Sequence, residues 1–158
     1  MADVRTWVQR TPVGPLTIVV GDDGLRAIDL RGKPPYAHAH PERDEEVAAE
    51  LEEYFAGRRR RFTMPIDLSS VRSAFHRHVL ETLAAQVPFG ETVTYGELAV
   101  MAGRPGTARA VGTAMATNPV PIVVPCHRVL AAGGRVGGYG GGLVMKRALL
   151  SLEGATVA

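Results

Sequence analysis

The stretch Thr94-Tyr95-Gly96-Glu97-Leu98-Ala99-Val100-Met101-Ala102-Gly103-Arg104-Pro105-Gly106-Thr107-Ala108-Arg109-Ala110-Val111-Gly112-Thr113-Ala114-Met115-Ala116-Thr117 reads as two short helices joined by a glycine-containing turn. Thr94, with Glu97 three residues on, forms a capping box, in which each side chain satisfies an unpaired backbone N–H of the other residue. Leu98 and Met101 give the first helix an apolar side, and Gly103 with Pro105 stops it. The second helix, Thr107 to Thr117, is built of small residues and carries Arg109 as its only charge. Small side chains let a helix backbone approach a flat surface, whether a groove of DNA or another part of the protein. The outline is a helix-turn-helix, which also occurs as a plain packing unit.

Upstream, Val71, Phe75, Val79 and Leu83 mark one face of a helix that ends near Val87-Pro88. Downstream, the apolar run Val120 to Val124 reads as a buried strand ending at Pro125. It is followed by Cys126, the only cysteine, in Pro125-Cys126-His127-Arg128-Val129. A lone cysteine forms no internal disulfide, so its thiol is a nucleophile, a metal ligand or a small buried hydrophobe. The adjacent imidazole and guanidinium favour the thiolate, the attacking form. Gly133-Gly134 and Gly137 to Gly142 follow, interrupted only by Tyr139. Neither a dinucleotide fingerprint nor a Gly-Lys-Ser/Thr ending is present, so these glycines read as a loop whose backbone approaches something closely. Leu143 to Leu152 is the last helix, with Gly154 as its C-terminal cap.

The first half reads differently. Leu16 to Val20 and Leu25 to Leu30 flank the turn Gly21-Asp22-Asp23-Gly24, a hairpin. From Pro41 to Ala56, the residues Val47, Leu51, Tyr54 and Phe55 recur at helical spacing, and Gly57 ends the helix. Arg58 to Arg61 read as a solvated helix-end cluster answering the nearby glutamates rather than as a nucleic-acid patch. His38 and His40 read as surface loop residues, and residues 62–69 as a strand or connector.

A hydrophobic content of 46% with 22% charged residues is that of an ordinary globular chain, and no apolar run is long enough to span a bilayer. Met1 to Arg5 lacks the pattern of a signal peptide, and no disulfide is available, so a cytoplasmic location is expected. Residues 1–69 carry 10 Lys/Arg against 12 Asp/Glu, a balance of −2, whereas residues 70–158 carry 8 against 4, a balance of +4. The half with the cysteine is therefore the basic half, which suits an anionic partner such as nucleic acid.

Tyr95, Ala108-Arg109-Ala110-Val111-Gly112, Asn118-Pro119, Pro125-Cys126-His127-Arg128-Val129, Gly138-Tyr139-Gly140-Gly141-Gly142 and Glu153 together resemble the O6-alkylguanine-DNA alkyltransferases, the methylated-DNA–protein-cysteine methyltransferases. The resemblance runs in order from about Phe75 to Glu153, and Thr11 to Leu16 resembles that family's N-terminal opening. It implies an α+β fold: a small α/β N-terminal domain, residues 1–69, with an antiparallel, ribonuclease-H-like sheet, and a mostly helical C-terminal domain, residues 70–158, with the helix-turn-helix.

The resemblance also implies repair by direct reversal. The alkyl group on O6 of guanine, or O4 of thymine, passes to Cys126 in a single turnover that consumes the protein. The damaged base is flipped out of double-stranded DNA, since a thiol cannot reach it within the stack. His127, held by Glu153, would take the thiol proton through water, Tyr95 would hydrogen-bond the departing guanine, and Asn118 would brace the turn before the cysteine. Arg109 would fill the gap left by the base, from a helix in the minor groove. Thr94, Tyr95, Arg104 and Ala132 would touch the DNA, and Met115, Pro121, Val129, Tyr139, Gly140 and Gly141 would wall the base pocket. No cofactor is implied, since the cysteine is itself the acceptor. No metal is implied either, because the N-terminal cysteines that hold zinc in some relatives are absent here. A monomer without membrane association is expected. Two other readings remain: a damage sensor on the same scaffold, which Cys126 argues against, and a cysteine hydrolase, for which no third-residue signature is present.

Overall fold

The computed structural model describes residues 4–33, 42–155 and 157. The chain divides into two units, Met1–Ser70 and Val71–Ala158.

In the first unit β1 (Arg5–Thr11), β2 (Gly14–Gly21) and β3 (Gly24–Asp29) form an antiparallel sheet in the order β1-β2-β3. The hairpin expected from the sequence is β2–β3, and Gly24 at its turn has φ +123° with a Cβ position only 2.5 Å from the Pro65 carbonyl oxygen. Only glycine fits there. β1 has no clear apolar alternation, because the buried residues Thr6 and Gln9 are polar. Gln9 is satisfied in place: its Oε1 accepts from Trp7 Nε1 at 3.0 Å, and its Nε2 donates to the Ala48 carbonyl at 3.0 Å. That second bond ties the sheet to α1 (Glu45–Phe55), whose Val47, Leu51 and Tyr54 pack into a core with Leu16, Ile18 and Leu25.

α1 starts later than the sequence pattern indicates, because Asp44 caps it by accepting from the Val47 N–H. Pro41, His38 and His40 lie outside the described residues. Within the arginine run, Arg59 turns back onto Glu53 and Glu50. Residues 62–69 form a connector with one parallel bridge, Leu25 to Ile66.

The second unit is mostly helical. α2 (Ala74–Gln86) is capped by Ser73. The strand β4 (Val93–Thr94) leads into α3 (Tyr95–Met101), and α4 (Ala108–Ala116) follows the turn. Val79, Leu80, Leu83, Leu98, Val111 and Ala114 are fully buried, so the three helices share one core. The capping box is present, with the Thr94 hydroxyl accepting from the Glu97 N–H at 3.1 Å and the Glu97 carboxylate accepting from the Thr94 N–H at 2.8 Å. α2 also holds the turn between α3 and α4: His78 Nε2 hydrogen-bonds the Ala102 carbonyl at 3.0 Å, and the Arg104 guanidinium lies 5.1 Å from the Phe75 ring centre.

Residues 120–124 correct the sequence reading. They are buried but are not a strand. The Val124 N–H returns to the Val120 carbonyl at 2.9 Å, and Ile122 has φ +77°, a conformation costly for a β-branched residue. The physical reason is that Pro119, Pro121 and Pro125 lack N–H donors, so no ladder can form. Asn118 replaces it, accepting from the Val120 N–H at 3.0 Å and donating to the Val124 carbonyl at 2.9 Å. The strand in this region comes after the cysteine: β5 (Val129–Leu130) runs parallel to β4. α5 (Leu143–Leu152) ends with Gly154 in the left-handed region at φ +75°.

Thr94→Ala removes the hydroxyl half of the capping box, and an N-cap loss costs about 1 kcal/mol. A fall of that size in unfolding free energy, measured by urea denaturation, is expected; an unchanged midpoint contradicts it.

Candidate active site

Cys126 opens a single 3-10 turn, Cys126–Arg128, anchored by Cys126 N–H to the Val124 carbonyl at 2.8 Å and Arg128 N–H to the Pro125 carbonyl at 2.9 Å. The cysteine is half-buried, whereas His127 and Arg128 point inward and are buried. Both meet Glu153 at the end of α5. His127 Nε2 lies 2.8 Å from Glu153 Oε2, and Arg128 donates from Nε to Oε1 at 2.8 Å and from Nη2 to Oε2 at 3.0 Å. Arg128 Nη1 donates to the Val87 carbonyl at 2.8 Å, at the end of α2. This paired arrangement is the strong geometry for a guanidinium and a carboxylate.

The electrostatics follow from burial. Burial pushes the Glu153 carboxyl up, but the hydrogen bonds from His127 and Arg128 outweigh it and bring it down to about 2. Burial lowers His127, against the pull of Glu153, so the imidazole rests neutral. With Glu153 ionised, Nε2 carries the imidazole proton and Nδ1 presents a lone pair. Nδ1 is buried and makes no hydrogen bond among the described residues.

The thiol differs from the sequence reading. Burial raises Cys126 to about 11, against a hydrogen bond from Asn118 and the positive field of Lys146. The neighbours expected to favour the thiolate do not act on it directly: His127 is neutral, and the Arg128 guanidinium is engaged by Glu153 and Val87. Cys126 therefore rests protonated at neutral pH, and attack requires a proton acceptor.

The cysteine lines a cavity of about 270 Å³ together with Tyr95, Gly112, Met115, Ala116, Gly138, Tyr139 and Gly140. That is close to the lower end of small-ligand sites, roughly 300 Å³. Tyr95 and Tyr139 are both raised, chiefly by burial, so both phenols stay protonated. The Tyr139 hydroxyl is buried without a hydrogen-bond partner among the described residues. Gly112 faces the Tyr95 ring, and a Cβ there would meet it at 3.9 Å, an ordinary contact.

Of the residues expected at the pocket, Met115, Tyr139 and Gly140 line this cavity, and Pro121, Val129 and Gly141 do not. Pro121 and Val129 are buried. Gly112, Ala116 and Gly138 also line it though the sequence did not assign them to the pocket, since small residues leave no side-chain signal. Thr94 and Tyr95 are half-buried at the start of α3, and Arg104, Arg109 and Ala132 are exposed. Arg109 makes no ion pair among the described residues. Arg128, expected to act on the thiol, instead pairs with Glu153, and Lys146 was missed. Lys146 is fully buried, yet in the sequence it stands beside Arg147 on a terminal helix, where a pair of cations reads as surface.

A second cavity, about 340 Å³, lies in the first unit and is lined by Asp22, Asp23, Asp44, Glu46 and Glu50 among others. Asp44 caps α1, and Glu50 accepts from the backbone N–H and hydroxyl of Thr63, both at 2.7 Å, so these two acids have structural work.

Residues 74–155 match the family described as "6-O-methylguanine DNA methyltransferase, DNA binding domain", and residues 5–68 match the same protein's "ribonuclease-like domain". The chain belongs to the 6-O-methylguanine DNA methyltransferase family. It is 42% identical over 148 residues to the methylated-DNA–protein-cysteine methyltransferase of Mycobacterium tuberculosis, covering 90% of this chain and 88% of that one. It is 39% identical over 160 residues to the human protein of that name, covering 91% of this chain and 77% of that one. Among solved structures, Mycobacterium tuberculosis OGT in complex with DNA superposes with a TM-score of 0.85 at 39% identity, over 94% of this chain and 92% of that chain. The α+β architecture is thus that of the family. Among the described residues no helix is long and apolar enough to cross a membrane.

The acid side of the stability profile should carry the site's signature. Glu153 sits lower folded than unfolded, so its contribution is full above its ordinary value of 4.5 and is lost as pH falls toward about 2. His127 is also depressed, so protonation of the unfolded chain below its ordinary 6.5 works in the same direction. Glu153→Gln should flatten the loss below pH 4.5 in melting temperature measured against pH; an unaltered acid limb contradicts this account.

Proposed function

We propose that the protein repairs alkylated DNA by moving the alkyl group from O6 of guanine to Cys126. The observation that carries this reading is one constellation: a thiol lining a cavity of base-sized dimensions, backed by a neutral imidazole whose other nitrogen is fixed by a carboxylate. No cofactor enters, because the sulfur keeps the group it takes.

In this reading the damaged base leaves the stack and enters between Tyr95 and the Tyr139-Gly140 wall. The Cys126 proton passes through one water to Nδ1 of His127, and Glu153 stabilises the imidazolium that results. Sγ then attacks the alkyl carbon, the C–O6 bond breaks and its electron pair stays with the guanine. The Tyr95 hydroxyl donates to the departing base, limiting the charge that builds on it. Asn118 holds the turn before the cysteine and supports the forming thiolate. A thioether is a stable product, so each molecule acts once. O4-alkylthymine presents a similar alkyl ether and is a second substrate.

α4 enters the minor groove, where its small residues permit close approach and exposed Arg109 occupies the space of the extruded base. Thr94, Arg104 and Ala132 meet the backbone. The protein works as a monomer in the cytoplasm.

The deciding experiment is intact-mass analysis after incubation with excess duplex containing O6-methylguanine. One methylene gained on Cys126, stoichiometric and without turnover, is expected, and Cys126→Ser should gain nothing while binding the duplex with near-normal affinity. An unchanged mass with tight binding points to a damage sensor, and repeated ester cleavage to a hydrolase. Arg109→Ala should slow transfer from duplex DNA more than transfer from a free base analogue; equal losses on both would remove the extrusion role.

A further inference from the structure

Lys146 is a fully buried lysine that the proposed reaction leaves without a task. Its Nζ donates to the Val129 carbonyl at 2.8 Å and the Gly138 carbonyl at 3.0 Å. Among the described residues no carboxylate pairs with it. A buried charge without a counter-ion is costly, and replacing such groups with apolar ones often leaves stability unchanged or improved. Its two acceptors are informative. Gly138 lines the same cavity as Cys126, and Val129 directly follows the turn that carries the cysteine.

The charges around the cavity do not balance at rest. The groups concerned are Cys126, His127 and Arg128 on the turn, Tyr139 on the glycine segment, Tyr95 at the start of α3, and Glu153 and Lys146 on or at the end of α5. Glu153 is the only anion among them and is engaged by Arg128 and His127. The Lys146 charge is therefore left over, and it acts on Cys126 and on His127. A site with one surplus positive charge is prepared for a negative charge that exists only during reaction.

We propose that Lys146 is a positioning residue for alkyl transfer: its ammonium pins the Gly138 wall of the cavity to the strand after the cysteine, and it supplies the fixed positive charge against which the Cys126 thiolate and the departing guanine anion form. This rests on the alkyl-transfer reading above. Protons balance without Lys146 as donor or acceptor. The thiol proton goes to His127 and returns to the guanine, and Lys146 remains an ammonium throughout.

A pH consequence follows. Burial lowers Lys146 to about 8, partly offset by Cys126. As pH rises through that value the ammonium loses its proton and the surplus charge disappears. The transfer rate should therefore stop rising, or fall, above pH 8, even though higher pH by itself favours the thiolate.

The test compares the full-length protein with Lys146→Met, a variant of similar length without charge. The single-turnover rate on O6-methylguanine duplex is read by intact mass, the Cys126 titration by ultraviolet thiolate absorbance, and duplex affinity and melting temperature are controls. The Lys146 ammonium holds the Cys126 thiol below where burial alone would put it. The variant should accordingly titrate higher and transfer several-fold more slowly, with duplex affinity retained. Methylation of both proteins at equal rates with equal thiol titrations overturns the role of Lys146 and leaves the alkyl-transfer reading intact. No methylation of the wild type overturns that reading itself. Should the variant not fold, the wild-type profile decides: a rate that keeps climbing with pH well beyond 8 overturns the proposal.

Discussion

One carboxylate organises the second unit. Glu153 accepts a two-point contact from Arg128 and a hydrogen bond from His127, and Arg128 in turn takes the Val87 carbonyl. A single buried side chain thereby fastens the cysteine turn to the ends of α2 and α5. Removing one partner from a buried pair of this kind leaves a charge stranded, at a cost of about 3–5 kcal/mol. The same contacts choose which imidazole nitrogen keeps its proton. Structural and chemical roles are inseparable here.

The cysteine is presented by turns and not by a strand. Three prolines deny the approach segment its ladder bonds, and Asn118 substitutes a side-chain amide for them. The segment is held stiffly enough to keep Ile122 at φ +77°. Strained backbone next to a reactive group persists only where the surroundings over-determine it. Here those surroundings are a buried apolar segment running from Val120 to Val124. The resulting thiol is protonated at rest.

Much of this was legible in the sequence where a feature is local. The capping box at Thr94, the hairpin around Gly24, the termination of α5 at Gly154 and the lone Cys126 beside His127 each depend on a few adjacent residues, so spacing reveals them. β1 was not legible, because the buried polar residues Thr6 and Gln9 hide the alternation, and the Gln9 amide finds its acceptor, the Ala48 carbonyl, on a helix 39 residues away in the chain. Residues 120–124 were misread, since an apolar run reports burial and not hydrogen-bond pattern. Pro121, Val129 and Gly141 lie off the cavity that Gly112, Ala116 and Gly138 help to form. Concavity belongs to the surface formed by several elements and leaves no periodic trace.

The sequence by itself determined the helix pair, its caps, the basic character of the second half and the lone cysteine beside a histidine, because these follow from backbone sterics, local hydrogen bonding and composition. Only the tertiary structure decided the ionisation states. Glu153 lies 26 residues from His127, Lys146 lies 17 from Val129, and the desolvation that holds Cys126 as a thiol is supplied by the whole unit. Charge in a protein is set by what surrounds a group in space, and that arrangement exists only once the chain has folded.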